Sequence, residues 1–222
     1  MDYETLNVLY QSRKTLLKIL AARGYATKAF EKFGPLELNA MVSAGPLGTA
    51  LRMDLQRTPE DAKKAGSSIT ICRVEYSFAR LKNRLAAYTN GFVDEDAGED
   101  AVDPTTTEVF VITLEPIVDA FHAAALSILA TKKLRIYFFQ AHTLVNNPFE
   151  HVLVPKHELV PSEEHAGLLA SHFIKSKMSL PIIKFHEDMI ARLMCLQPGD
   201  IVKITRPSPQ AGTYVAYRVC AP

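Results

Sequence analysis

Residues 108–139 constrain this chain more than any other stretch. Val109-Phe110-Val111-Ile112 is a continuous apolar run, and a second run lies at residues 134–139. Both are short enough, and rich enough in β-branched or aromatic residues, to read as strands. Between them, over residues 115–130, Ile117, Phe121, Ala124, Ala125, Ile128 and Leu129 recur at helical spacing. Strand, helix and strand in this order make a βαβ unit, whose strands run parallel and whose crossover is right-handed in nearly all cases. Continuous rather than alternating hydrophobicity adds that both faces of the strand are covered. The first part of the chain is therefore expected to be α/β.

Upstream, Ile69-Thr70-Ile71-Cys72-Arg73-Val74 reads as a third strand, and residues 78–88 read as a helix carrying Arg80, Lys82 and Arg84. With Arg73, these are the best candidates for a basic face, although for any one of them a solvated helix surface is the commoner reading. Near the start, Leu6, Leu9, Tyr10, Leu16, Leu17 and Leu20 form a helical apolar stripe. Arg13, Lys14 and Lys18 are expected to fall outside it, and Gly24 to end the helix. Residues 26–66 show no sustained period. Gly45-Pro46-Leu47-Gly48 reads as a turn, since it lacks the Gly-Lys-Ser/Thr ending of a phosphate loop. The acidic segment 94–103 has no Ca²⁺-ligand spacing and reads as a loop whose charge repels DNA.

Asn146, Pro148, Pro155 and Pro161 interrupt regular structure and place a domain boundary near Asn146, giving domains 1–145 and 146–222. In the second domain Ser162-Glu163-Glu164 is expected to open a helix with Ser as its cap, and Leu180-Pro181-Ile182-Ile183 to be extended. Asp188 caps a helix running through Met194. The end is a β-hairpin: a Val/Ile/Thr-rich run at 201–206, a Pro/Ser/Gly cluster, and a Tyr/Val-rich run at 213–219. Alternation puts Val202 and Ile204 on one face of its first strand and Ile201, Lys203 and Thr205 on the other. Val215, Tyr217 and Val219 oppose Tyr214, Ala216, Arg218 and Cys220. Lys203, Arg206, Arg218, Tyr214 and Tyr217 make either a solvated basic face or a recognition surface. The pattern does not choose.

Composition excludes several classes. Lys and Arg number 25 against 24 Asp and Glu, a formal charge of +1, so tight autonomous binding of nucleic acid is disfavoured. Cys72, Cys195 and Cys220 are far apart and odd in number, which indicates neither a zinc site nor a disulfide framework. His142, His151 and His157 with Glu150 lack metal-ligand spacing and read as hydrogen-bonding structural residues. No nucleophile elbow, Cys/His signature or dinucleotide fingerprint is present, so no catalytic residue, cofactor or metal is assigned. The start of the chain has no signal-peptide pattern. The longest apolar run, 117–130, is broken by Asp119 and His122, so no membrane span is expected.

The hairpin also carries a resemblance. Gly-Asp-x-Val-Lys-Ile-x-Arg-Pro-Ser-x-x-Ala-Gly-x-Tyr-x-x-Tyr-Arg-Val, residues 199–219, resembles the C-terminal signature of the fifth subunit shared by the eukaryotic nuclear RNA polymerases. The C-terminal half of that family is similar to a subunit of the archaeal polymerase. Asn147 to His157 resembles the family's linker through Val154, Pro155 and His157. Further matches are Leu180, Pro181 and Ile182, then Asp188, Ala191, Arg192 and Leu196, then the hairpin residues from Gly199 to Val219. The opening helix, Arg13 to Tyr25, is similar as well.

The resemblance implies an α/β N-terminal jaw-like domain plus a small α+β C-terminal assembly domain ending in a β-hairpin. It implies a non-catalytic subunit of a DNA-dependent RNA polymerase, present as a single copy and not as a homo-oligomer. The assembly domain would dock on the largest subunit and the jaw would lie near downstream duplex DNA, touching it indirectly. Implied interface residues are Pro155, His157, Arg192, Lys203, Arg206, Ser208, Gly212, Tyr214, Tyr217 and Arg218; Arg73, Arg80, Lys82 and Arg84 would lie toward DNA. The implied location is the nucleus, with the nucleolus if one polymerase is served, or a virion or host cell if the copy is viral. The chain departs from the family at Met189 (usually Pro), Cys195 (usually Gly) and Pro209, Gln210 and Thr213 (usually Glu, Thr and Arg). The alternative is a free-standing scaffold that kept the assembly module.

Overall fold

A strand, a helix and a strand occupy residues 107–140 of the structure, a computed structural model that describes residues 2–44, 49–64, 67–93, 101–210 and 212–222. The turn expected at 45–48, most of the acidic loop (94–100) and Ala211 lie outside the described residues. The chain forms two units, Met1–Asn147 and Pro148–Pro222.

The first unit contains α1 (Tyr3–Ala22), α2 (Pro35–Ala44), β1 (Met53–Gln56), α3 (Pro59–Lys64), β2 (Ile71–Ser77), α4 (Leu85–Asn90), β3 (Thr107–Thr113), α5 (Asp119–Lys132) and β4 (Arg135–Gln140). Its sheet has the order β1-β2-β3-β4, with β1 antiparallel and the other pairs parallel. β3 is buried at every position, as an inner strand covered on both faces must be. Phe110 on β3 meets Tyr137 and Phe139 of β4 at ring separations of 5.7 and 5.2 Å. Phe121 of α5 meets Phe138 at 5.2 Å. Phe121, Ala125 and Ile128, at helical spacing, are the buried face of α5.

Three boundaries differ from the sequence reading. α5 begins at Asp119 and not at 115, because Pro116 disfavours helical backbone in the residue before it and Val118 is extended. The expected helix at 78–88 is confined to Leu85–Asn90. Residues before it turn instead: the Leu81 N–H donates to the Glu115 carboxylate at 2.7 Å, and the Arg84 N–H to the Leu81 carbonyl at 2.7 Å. Arg80, Lys82 and Arg84 therefore sit on a turn and not on a helix face. β2 begins at Ile71, two residues later than the run suggests.

α1 is capped by Asp2, whose carboxylate accepts from the Thr5 N–H at 2.9 Å. It ends in a left-handed Gly24 (φ +87°), with the Gly24 and Tyr25 N–H groups closing on the carbonyls of Ala21 and Leu20. Leu6, Leu9, Leu16, Leu17 and Leu20 are buried as expected. Arg13 is buried too, only 3% exposed, against the expectation. It lies four residues from both Leu9 and Leu17, so helical geometry puts it inside the stripe.

The second unit contains β5 (Lys156–Val160), α6 (His165–Ser171), β6 (Ile182–Lys184), α7 (Met189–Leu193), β7 (Ile201–Ser208) and β8 (Gly212–Ala221). Its sheet order is β5-β7-β8-β6, with β6 parallel to β8 and the other pairs antiparallel. β7 and β8 are the expected hairpin, and Gly212 sits at φ +69° at its turn. Val160, Leu180, Ile201 and Val219 form a core against which Leu168, Leu169, Ile174 and Tyr217 pack. Ser162 caps nothing: residues Ser162–Glu164 make a tight turn, closed by the Glu164 N–H on the Pro161 carbonyl, and α6 starts after it.

Asp188 does cap α7, accepting from the N–H groups of Ile190 (2.8 Å) and Ala191 (3.1 Å). α7 leaves through a Schellman arrangement in which Cys195 is the left-handed residue, at φ +56°. Its N–H closes on Arg192 and that of Leu196 on Ala191. A side chain there strains the backbone. We expect Cys195→Gly to stabilise the chain by about 1 kcal/mol, and Cys195→Ala, which keeps the strain and loses buried sulfur, to destabilise it. Urea midpoints of the two variants check this; a lower midpoint for the glycine variant contradicts it.

Candidate partner interface

The strand register sorts the candidate residues of the second unit onto two faces. His157 pairs with Ile204, which pairs in turn with Ala216; Val202 pairs with Arg218, and Arg206 with Tyr214. His157, Arg206, Tyr214 and Arg218 thus share one face. Glu158, Lys203 and Tyr217 are register partners on the opposite face. Ser208 and Gly212 face each other across the hairpin turn, and Pro155 precedes β5. The two faces are those that the alternation along the hairpin strands predicts, and Tyr217 is partly used inside its own unit, packing on the core and meeting the His172 ring at 5.3 Å.

On the first face lies a cleft of about 470 Å³ lined by His157, Ile182, Ile183, Lys184, Glu187, Asp188, Ile204, Arg206 and Arg218. Its carboxylates are engaged: Glu187 pairs with Lys184 at 2.6 Å, and Asp188 caps α7. Arg218 donates to the Ile182 carbonyl at 2.7 Å, which fixes its guanidinium at the rim. Arg206 is exposed. The cleft, polar for the most part, therefore presents two guanidinium groups, a pattern suited to recognising carboxylates of another chain.

Arg192 is different. It is only 9% exposed, and burial lowers its pKa to about 10 against the opposing pull of Asp188. It supports α7 from within and presents little surface to a partner. His151 and His157 are engaged in local hydrogen bonds: His151 Nδ1 accepts from the Leu153 N–H at 3.2 Å, and His157 Nδ1 lies 2.7 Å from the Pro155 carbonyl. Cys72, Cys195 and Cys220 are buried thiols with no disulfide among the described residues; burial and the Asp200 and Asp188 carboxylates push the Cys220 thiol up to about 12.

Sequence reasoning missed the most unusual side chain. Phe173 terminates α6 at φ +56°, its N–H and that of Ile174 closing on Ala170 and Leu169, and its ring is 95% exposed. A β-carbon at a left-handed position and an exposed aromatic ring both cost free energy. Among the described residues, eight of the eleven exposed large hydrophobic side chains belong to the second unit, including Val152, Leu153, Phe173, Met178, Ile182 and Tyr214. The smaller unit thus carries most of the exposed apolar side chains.

In the first unit, Arg73 on β2 is held at 2.8 Å by Asp54, its register partner on β1, and Asp54 also meets Arg52 at 3.3 Å. Arg80, Lys82 and Arg84 are exposed on the turn before α4. Two arginines thus share the one Asp54 carboxylate, which leaves a net positive charge at this edge of the sheet. Among the described residues no helix is long and apolar enough to cross a membrane.

Residues 146–220 match the family model described as RNA polymerase Rpb5, C-terminal domain. The chain is 30% identical over 219 residues to the Dictyostelium discoideum protein named DNA-directed RNA polymerases I, II, and III subunit rpabc1. That alignment covers 98% of this chain and 99% of that one. The Caenorhabditis elegans protein of corresponding name is 27% identical over 219 residues, 95% of this chain and 94% of that one. The Methanocaldococcus jannaschii protein named DNA-directed RNA polymerase subunit Rpo5 is 41% identical over 70 residues, 32% of this chain but 87% of its own length.

Proposed function

Because this chain belongs to the family of the subunit shared by DNA-directed RNA polymerases I, II and III, whose members are accessory and not catalytic, we propose that it is a non-catalytic subunit of a nuclear DNA-dependent RNA polymerase. In this reading the second unit docks on the largest subunit as a single copy. The first unit forms part of the jaw near downstream DNA and touches the duplex only in the context of the whole enzyme.

The observation that carries the docking assignment is the concentration of exposed apolar side chains on the second unit, headed by a strained and exposed Phe173. Exposed apolar side chains and arginine are both enriched at protein interfaces. The near-zero net charge fits a chain that contributes to a duplex path without holding DNA alone.

The test is an affinity pulldown of the tagged full chain from its own cells at moderate salt, with mass spectrometry of what comes along. Stoichiometric recovery of the two large catalytic subunits is expected, and an Arg206→Glu/Arg218→Glu variant that stays folded should lose at least about tenfold of that recovery. Phe173→Gly separates stability from docking. It should stabilise the free chain by about 1 kcal/mol while weakening recovery. Wild-type chain that brings down no polymerase subunit sinks the reading and moves a free-standing scaffold to the front.

A further inference from the structure

The first unit carries a groove that the polymerase reading does not use. It measures about 450 Å³ and runs along one face of α1, from Tyr10 past Lys14, Leu17 and Lys18 to Ala21, with Phe30 and Phe33 as its opposite wall. These α1 positions span about three helical turns, about 16 Å at 1.5 Å per residue. The floor is apolar and the rim is cationic. Lys14 and Lys18 stand one turn apart and exposed, while Arg13 is buried between the rings of Phe30 and Phe33, its guanidinium carbon 6.0 and 5.9 Å from their centres.

Arg13 is the group that gives the groove its direction. Its Nη1 donates to the Leu51 carbonyl at 3.1 Å, but Nε has no hydrogen-bond partner and no carboxylate pairs with it among the described residues. A buried guanidinium without a counter-charge is costly. The single carboxylate lining the groove, Glu31, accepts instead from the Thr27 hydroxyl. The lining therefore holds three cations against one carboxylate, over a floor of leucine, alanine and aromatic rings.

We propose that this groove docks an acidic amphipathic helical segment of a partner protein. Carboxylates one turn apart on that segment meet Lys14 and Lys18, and an apolar side chain between them enters over Leu17 and Ala21 beside Phe30 and Phe33. The length of the groove suits a helix better than a small anion. Its apolar floor suits side chains better than a phosphate backbone, which would also meet Glu31. The groove lies in the other unit, so its occupancy is independent of the polymerase assignment.

The test uses the purified full chain and a fluorescein-labelled helical peptide of about 14 residues, with leucines at helical spacing flanked by glutamates one turn apart. Anisotropy should show saturable binding, and the same peptide with lysine in place of glutamate should not bind. Lys14→Glu/Lys18→Glu, at exposed positions that leave the fold intact, should weaken the acidic peptide at least about tenfold and gain binding of the lysine peptide. Hydrogen exchange should show new protection along residues 10–21. Absence of saturable binding by the acidic peptide, or binding unchanged in the double variant, overturns the proposal. So does a duplex oligonucleotide that displaces the peptide by occupying Lys14 and Lys18.

Discussion

Glu108→Ala should destabilise the first unit by about 3 kcal/mol or more. Glu108 is the second residue of β3 and is 1% exposed. Its carboxylate lies 2.8 Å from Nη1 of Arg23 and accepts the Tyr25 hydroxyl at 2.9 Å. Arg57 stacks over the Tyr25 ring at 4.7 Å and donates to the Ile69 carbonyl at 2.8 Å, so the residues after α1 are tied to β3 through this carboxylate and to the chain before β2 through Arg57. Removing it leaves the Arg23 charge and the Tyr25 hydroxyl, which is itself held in a desolvated site, without their acceptor. Replacing a buried pair with apolar groups costs far less than breaking it. Accordingly Glu108→Leu combined with Arg23→Leu and Tyr25→Phe should regain much of the loss. If the triple variant is no better than the single one, packing and not charge is what Glu108 supplies.

The same group sets a pH dependence. Burial alone would raise the Glu108 pKa, but the Arg23 charge, the hydrogen bonds from Arg23 and Tyr25, and the Arg57 charge outweigh it and hold it below the usual 4.5. A carboxylate whose folded pKa is depressed contributes stability that is present above its unfolded pKa and lost as pH falls through the folded one. Urea midpoints followed by far-UV circular dichroism should therefore drop on acidification below about pH 4.5 more steeply for wild type than for the triple variant. The chain has no tryptophan, so fluorescence is a poor substitute.

The sequence exposed those parts of this fold that rest on local periodicity. Val109 to Ile112, the Phe121, Ala125 and Ile128 face and the 201–219 hairpin were legible because each repeats at the period of its own element. β1 was not, although Met53 and Leu55 alternate with exposed Asp54 and Gln56, because four residues give too little pattern. The turn at 78–84 depends on Glu115, a contact 34 residues away that no window contains. Arg13 read as a surface charge because hydrophobic scales weigh a residue by type, whereas helical phase decided its burial. The partners of Glu108, Arg23 and Tyr25, lie more than 80 residues away in sequence, so no local window shows the pairing. Phe173 was invisible for a different reason: a left-handed backbone at a non-glycine residue is set by the helix exit and leaves no compositional mark.

A fragment comprising residues 148–222 should fold alone and keep the docking activity, and residues 1–147 should fold without it. The core of the second unit, from Val160 and Leu180 to Ile201 and Val219, is drawn entirely from within the fragment, as are all four strands of its sheet. A chain of this size can sustain one small core. The short archaeal relative has 87% of its length aligned to 70 residues of this chain. Circular dichroism should report a cooperative transition for the fragment, and the tagged fragment should bring down the large polymerase subunits as the full chain is expected to. Because its exposed side chains include Val152, Leu153, Phe173 and Met178, it should also self-associate at high concentration, and Phe173→Gly should reduce that tendency. Recovery of polymerase by 1–147 and not by 148–222 would transfer docking to the first unit. The exposed apolar side chains of the second would then need another partner, and the strain at Phe173 another explanation.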